Sequence, residues 1–232
     1  MPKIAVITAL SGTRERLYDP KITFPGVDYF AFVDSPQNVT TWKQCPLLDF
    51  TCDNTYKNRR NAKIYKILPH LFVPDYDYYI WHDVSHELVT DPFNVVETHL
   101  KDKDVALFRH TQRTCIYEEA KILNELGYDH KENIDRQISY YKECGLPENF
   151  GLFELPVSIR KNNTKTQSMN LAWWEQICRY SSRDQVSLPF CMWKYKIDIS
   201  ILDGYANGYL KNGVMITNNI LPQVRTHVSS GV

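Results

Sequence analysis

Residues Asp75–Pro92 read DYDYYIWHDVSHELVTDP, and the break inside this stretch decides the fold class. Asp77–Trp81 (DYYIW) has the aromatic and β-branched character of a buried strand, and it stops abruptly at His82-Asp83. Lys3–Leu10 (KIAVITAL) is a continuous apolar run ending in Ser11-Gly12, and Val27–Val33 (VDYFAFV) ends at the turn signal Asp34-Ser35-Pro36. Unbroken runs of this kind belong to strands buried on both faces, which occur where helices cover a mainly parallel sheet. The chain therefore reads as an α/β protein. In open α/β sheets ligands bind beyond the carboxyl ends of the strands, so Asp83 stands where a functional carboxylate belongs.

Working outward, Thr40–Gln44 suggests a short third strand and Asp104–Phe108 (DVALF) a further one, followed by Arg109-His110. Arg59–Leu71 (RRNAKIYKILPHL) reads as a helix with Ala62, Tyr65 and Ile64 or Leu68 on one face, ended or kinked by Pro69. Tyr117–Leu126 and Ile134–Cys144 read as helices closed by Gly127 and Gly145. Val157–Arg160 is a short strand. Met169–Tyr180 is a helix with Leu171, Trp174 and Cys178 on one stripe. Ser182–Tyr195 is a helix whose first turn Ser182 and Asp184 can cap, and Val214–Ile216 suggests a last strand. Strand–helix alternation followed by helices predicts a parallel or mixed sheet covered on both faces. We expect one domain over 1–228 and a tail at 229–232.

Lys plus Arg and Asp plus Glu both total 27, leaving no net charge, which argues against non-specific nucleic-acid binding. The six cysteines contain no CxxC pair, so neither a zinc ribbon nor a disulfide framework is indicated. Reduced, mostly buried thiols are the expectation. The N-terminal apolar run is too short for a signal peptide, and no apolar stretch reaches the roughly 20 residues of a membrane span. These features predict a cytoplasmic protein, in which the sequons at Asn38 and Asn162 carry little meaning.

Three constellations carry chemistry. Asp83, with Ser85 and His86 near it, suits a hard cation that takes one or two carboxylates and completes its shell with phosphate and water; a plain turn cap is the other reading. Arg59, Arg60, Lys63 and Lys66 bring cations to one helix, where residues 59 and 63, or 60 and 63, share a face that suits a diphosphate or is simply solvated. Arg183-Asp184-Gln185 opens a helix, and Asp184 is placed either to cap it or to hold or deprotonate an acceptor hydroxyl. His110, Arg113, Glu118 and Glu119 form a polar group after the 104–108 strand. No P-loop, GxGxxG or GxSxG motif is present.

The ordered series Arg60, Lys66, Leu68–Phe72 (LPHLF), Tyr79-Ile80-Trp81-x-Asp83, Asp91-Pro92, His110-x-x-Arg113-x-Cys115-x-Tyr117-Glu118-Glu119-Ala120, Gln137, Tyr141, Gly145-Leu146, Arg160 and Ser182–Gln185 (SRDQ) resembles the plant mucilage-biosynthesis and turgor-regulation family of glycosyltransferase-like proteins. A weaker similarity is to the first domain of a chlorella-virus capsid glycosyltransferase. The resemblance implies a GT-A-like (Rossmann-like), mixed and mainly parallel sheet flanked by helices, with a nucleotide-binding half to about residue 92 and an acceptor half from about 93 to 228. It also implies a UDP-linked sugar donor, a glycan or glycoprotein acceptor, and Mn2+ or Mg2+ at a DXD-like motif. Carried onto these positions, Asp83 is the metal-motif acid, with Ser85 where a second acid is usual and His227 as the C-terminal candidate ligand. Thr8 and Asp34 would grip the nucleoside, Arg60 and Lys63, with Lys66 as a further candidate, the diphosphate, and His110, Arg113, Glu118 and Gln185 the acceptor or sugar. Asp184 would be the base if configuration inverts, and an orienting group if it is retained. Two rivals stand beside this reading: a metal-dependent lipid-amide hydrolase, and a glycan-binding module without catalysis. Further domains of a longer polypeptide are also expected.

Overall fold

The computed structural model describes residues 1–12, 15–50, 56–204 and 206. Its order is β1 (Ile4–Leu10), β2 (Val27–Val33), β3 (Lys43–Pro46), α1 (Lys57–Ile67), α2 (Pro69–Phe72), β4 (Tyr78–His82), α3 (Pro92–Leu100), β5 (Val105–Arg109), α4 (Ile116–Glu125), α5 (Lys131–Glu143), β6 (Phe153–Lys161), α6 (Thr164–Arg179), α7 (Asp184–Lys194) and β7 (Ile199–Leu202). The strands form one sheet in the order β3-β2-β1-β4-β6-β5-β7. All run parallel except β6, which is antiparallel to both β4 and β5. This is the mixed, mainly parallel, GT-A-like sheet that the resemblance implies.

Every residue of β1 is buried, because α1 covers one face while Val95, Val96 and Leu100 of α3 join the core on the other. The odd and even side chains of a strand go to opposite faces. Accordingly Ala5, Ile7 and Ala9 join Tyr79 and Trp81 under α1, and Ile4, Val6 and Leu10 join Ile80 on the far side.

Several elements differ from the sequence-based expectation, each for a physical reason. The third strand starts at Lys43 rather than Thr40, because the Asp19 carboxylate takes the amides of Thr40 and Thr41 (2.8 Å each at closest) and withholds them from the ladder. Pro69 divides the expected 59–71 helix into α1 and α2 at Leu68 (φ −113°, ψ 45°). The carbonyls left at the end of α1 are taken by the buried Arg160 guanidinium, which donates to Ile67 (3.3 Å) and Lys66, and to Asn170 Oδ1 at 2.8 Å. β6 is longer than residues 157–160 because it pairs on both edges, and its register with β5 shifts between Ala106 and Phe108 in the span that holds Pro156.

The sequence reading assigned neither α3 nor β7. For α3 the signal was present: Asp91 accepts from Phe93 N–H at 2.9 Å and Pro92 occupies the first turn. On α6 the buried residues are Met169, Trp173 and Ile177, whereas Leu171 is 52% exposed; the stripe expected at Leu171, Trp174 and Cys178 is the outer one. Val214–Ile216 lies outside the described residues, as do the 229–232 tail and His227. Gly127 (φ +63°) and Gly145 (φ +85°) end α4 and α5 as expected, each followed by a six-to-one bond, Tyr128 N–H to Leu123 (3.0 Å) and Leu146 N–H to Tyr141 (3.0 Å). The thiols of Cys45, Cys115, Cys144, Cys178 and Cys191 are free, but only Cys115 and Cys191 are buried.

Candidate functional site

The carboxyl ends of β1 and β4, the start of β6, the outward side of α1 and the start of α7 enclose a cleft of about 910 Å³. A second hollow, lined by Lys3, Asp75, Asp77 and Asn162, opens at the amino ends of β1 and β4, away from the side where such folds bind ligands.

The cleft is built around a buried ion triad. Lys63 and Lys66, three residues apart on α1, reach the Asp184 carboxylate at the start of α7, Lys63 Nζ donating to Oδ1 at 2.7 Å and Lys66 Nζ to Oδ2 at 2.6 Å. Lys63 also donates to the Ser182 carbonyl at 2.7 Å. Burial pushes the Asp184 pKa up, but the two ammonium groups outweigh it and hold the carboxyl well below the usual carboxylate range. Burial pulls Lys63 down to about 8, against the pull of Asp184 and with help from Arg183 and Lys66. The α1 cations are thus neither solvated nor disposed as one open face.

Across the cleft, Asp83 leaves the end of β4 with its amide on the Pro156 carbonyl (2.8 Å). Its Oδ1 accepts from Trp81 Nε1 at 2.8 Å, and the Trp81 ring also lies 5.7 Å from Lys66 Nζ. One indole therefore fixes the carboxylate with its N–H and meets Lys66 with its ring. The start of α7 differs from the expected cap. Arg183 takes the N-cap position without a side-chain bond. Ser182 instead gives its N–H and hydroxyl to the buried Asp129 carboxylate, at 2.8 and 2.6 Å.

Of the predicted site residues, Lys63, Asp83, Asp184 and Gln185 line this cleft; Thr8, Asp34, Arg60, Ser85, His110, Arg113 and Glu118 do not. Thr8 is fully buried inside β1, because that strand runs on to Leu10 and leaves Ala9, Leu10 and Ser11 at the cleft wall. Asp34 is exposed and accepts from Gly12 N–H at 2.6 Å, tethering the loop after β1. Arg60 is buried and donates to the Ile177 and Tyr180 carbonyls (3.4 and 3.3 Å) at the end of α6. It therefore performs for α6 the service that Arg160 performs for α1.

Ser85 is also buried, its hydroxyl 3.0 Å from His86 Nδ1. His86 Nε2 in turn lies 3.0 Å from the Ala206 carbonyl. Beside them, burial lowers the His82 pKa to about 4. Beyond β5, Arg113 Nε meets Glu119 at 2.6 Å, and His110 Nδ1 accepts the amides of Gln112 and Arg113 (3.2 and 3.1 Å). Glu119, not the exposed Glu118, is the buried member of that group. The sequence reading passed over Glu15, Arg16 and Asn58, which also line the cleft; they sit in polar loop or helix context with no spacing signal of their own.

Among the described residues no group of three or more His, Cys, Asp or Glu side chains is placed to hold a metal ion. The donor set at the cleft is nevertheless compatible with a hard cation. Asp83 offers a carboxylate already oriented by the Trp81 N–H, the kind of outer hydrogen bond that aligns a ligand, and phosphate and water can supply the rest. Ser85, bonded to His86 and off the cleft, does not belong to that set. Among the described residues no helix is long and apolar enough to cross a membrane.

The chain is 31% identical over 140 residues to the probable hexosyltransferase MUCI70 of Arabidopsis thaliana, over 56% of this chain and 24% of that protein. It thus spans about a quarter of that relative's length. Among solved structures, mouse xyloside xylosyltransferase 1 aligns at a TM-score of 0.47 and 9% identity, over 87% of this chain and 85% of that one. The galactosyltransferase LgtC, solved with donor and acceptor sugar analogues, aligns at 0.44 and 9% identity, over 86% and 73%. The family described as TOD1/MUCI70, glycosyltransferase-like domain, matches residues 29–204, most of the sheet and both walls of the cleft, and this chain belongs to it.

Proposed function

We propose that the domain is a glycosyltransferase that binds a nucleoside-diphosphate sugar, UDP-linked, and passes its hexosyl or deoxyhexosyl unit to a glycan or glycoprotein acceptor. The observation that carries this reading is the pairing of Lys63 and Lys66 on one wall with Asp83 on the other, across a cleft at the carboxyl ends of the strands. The hexosyltransferase relative supports the transferred group.

Departure of a nucleoside diphosphate builds negative charge on the leaving phosphate, and preorganised cations that need no reorganisation are the effective way to stabilise it. Lys63 and Lys66 are such cations, locked by Asp184 before any ligand arrives. Mn2+ or Mg2+ bound beside Asp83 would supply Lewis-acid stabilisation of the same leaving group. Asp34 acts through the loop it tethers at Gly12, which walls the nucleoside side of the cleft. His110, Arg113 and Glu119 brace the loop after β5.

Asp184 fits the orienting role better than the basic one. Both of its oxygens already accept from ammonium groups, and a carboxylate held so far below its usual range draws a proton weakly. It can still accept a hydroxyl hydrogen bond, with the neighbouring Gln185 amide beside it. This favours retention of configuration, with Asp184 positioning the sugar.

Thermal-shift and calorimetric titrations with UDP, GDP and Mn2+ test the proposal. A ligand present at about 100 times its Kd stabilises the fold by about 2.7 kcal/mol. UDP with Mn2+ should raise the melting temperature, and Asp83→Ala should remove the metal-dependent part of the rise. No response to either nucleotide with metal present would sink the transferase reading.

A further inference from the structure

The cleft is lined by cations that its own acids do not all engage. Five cationic side chains line it, Arg16, Arg59, Lys63, Lys66 and Arg183, against the three acids Glu15, Asp83 and Asp184. Asp184 is committed to the two lysines. Arg183 is different. Its Nε is buried without a hydrogen-bond partner, and its guanidinium rests 5.3 Å from the centre of the Tyr128 ring.

Arg59 reaches the same place from α1. Its Nη1 donates to the Tyr128 carbonyl (2.9 Å) and to Ser182 Oγ (3.2 Å), and its guanidinium lies 4.9 Å from the Tyr56 ring. The two guanidiniums therefore converge on Tyr128, and neither is ion-paired among the described residues. Burial and the charge of Arg183 both depress the Arg59 pKa, with Asp129 opposing. Like charges held together beside a cleft, with a buried donor unfilled, are what an incoming oxyanion satisfies, since guanidinium N–H groups bind carboxylate and phosphate in charge-assisted pairs. The Tyr128 residue is 47% exposed and offers an amphipathic ring beside them.

Arg59 and Tyr128 lie outside the Lys63–Asp184–Lys66 triad, and Arg183 adjoins it at Asp184. Arg59 precedes Lys63 by one turn of α1, about 6 Å along the axis, so it stands outside the Lys63–Asp184–Lys66 triad. Resting on the transferase reading above, we infer that Arg59 and Arg183, with Tyr128, form a subsite for an acceptor saccharide that carries an oxyanion, either a uronate carboxylate or a sugar phosphate.

Methyl glucuronide, glucose 6-phosphate and neutral methyl glucoside, titrated by ligand-observed NMR into the protein with and without saturating UDP, test this subsite. At least one anionic sugar should bind tenfold or more tightly than the neutral one, and which of the two leads identifies the oxyanion. Arg183→Met and, separately, Arg59→Met should each reduce that preference at least fivefold while changing the UDP Kd less than twofold. Equal binding of the neutral sugar overturns the inference, as does a preference that survives both substitutions. Parallel loss of UDP affinity also overturns it, because the arginines would then belong to the donor site. UDP binding with no anionic preference removes the subsite and leaves the transferase. An anionic preference without any UDP binding removes the transferase and leaves the anion site.

Discussion

Replacing Asp184 by Asn tests the ion triad on which the functional reading depends. The change keeps the side chain's shape and removes the one negative charge lying 2.7 Å from Lys63 and 2.6 Å from Lys66. Each attraction is worth about 6 kcal/mol at an effective dielectric constant near 20, so both lysines cannot stay charged in place. Lys63, already pulled from 10.5 to about 8 by burial, is the one to shed its proton. Neutralising a lysine of ordinary pKa 10.5 at neutral pH costs about 1.4 kcal/mol per pH unit, or about 5 kcal/mol, which caps the damage. We therefore expect a loss of about 3–5 kcal/mol at about pH 7, in the range for breaking a buried pair.

The sign of the pH dependence follows. In the variant the lysine's folded pKa lies far below its unfolded one, so the unfolded state binds the extra proton and stability rises with pH. At about pH 9 the cost should fall to about 2 kcal/mol. Urea unfolding of the wild type and of Asp184→Asn at both pH values measures this directly. The double variant Asp184→Asn with Lys63→Met should recover at least about 2 kcal/mol at neutral pH, since it removes the charge left unpaired. A loss under about 1 kcal/mol, or one that does not shrink with pH, would refute the triad.

Three further outcomes are expected. In the proposed function Lys63 is the cation for the donor phosphate, and it loses its charge as pH rises through about 8, so UDP affinity should fall above that pH by up to about tenfold per unit; Lys63→Arg should move the fall beyond pH 10, and an unmoved fall in calorimetry would remove Lys63 from the site. Arg160→Met strands the Lys66 and Ile67 carbonyls at about 1–3 kcal/mol each, partly offset by no longer burying a charge, so chemical denaturation should show a net loss of about 2–4 kcal/mol, and an unchanged midpoint would contradict the capping role. Gly145 has a φ of +85° with nothing within 4 Å of an added Cβ, so Gly145→Ala should cost about 1–2 kcal/mol from backbone strain alone, with Asn milder than Ala; equal stability of glycine and alanine would mean the turn rearranges.

Much of the fold was legible because strand burial writes itself into local composition. KIAVITAL, VDYFAFV and DYYIW are apolar on both faces, which only an interior strand tolerates, and Gly127 and Gly145 mark helix ends because few other residues adopt their backbone angles. What was misread involved choices between partners. Thr40 and Thr41 have strand propensity, but Asp19, 21 or more residues away, takes their amides. On α6 two stripes have helical spacing, and only docking decided that Trp173 is inside and Leu171 outside.

The site divides along the same line. Sequence alone placed a carboxylate, Asp83, at the end of a buried strand, and set cations on one helix and Asp184 at the start of another, because strand-end position and helical spacing are local properties. Sequence could not tell Arg60, spent on the carbonyls of α6, from Lys63 and Lys66, spent on Asp184, nor see that Ser85 is occupied by His86. A charged or polar side chain takes its role from the partner it finds, and residues 60 and 177, or 66 and 184, become neighbours only when the helices dock. The tertiary structure alone decided which cations face the cleft, that Trp81 touches both Asp83 and Lys66, and that Arg59 and Arg183 meet at Tyr128.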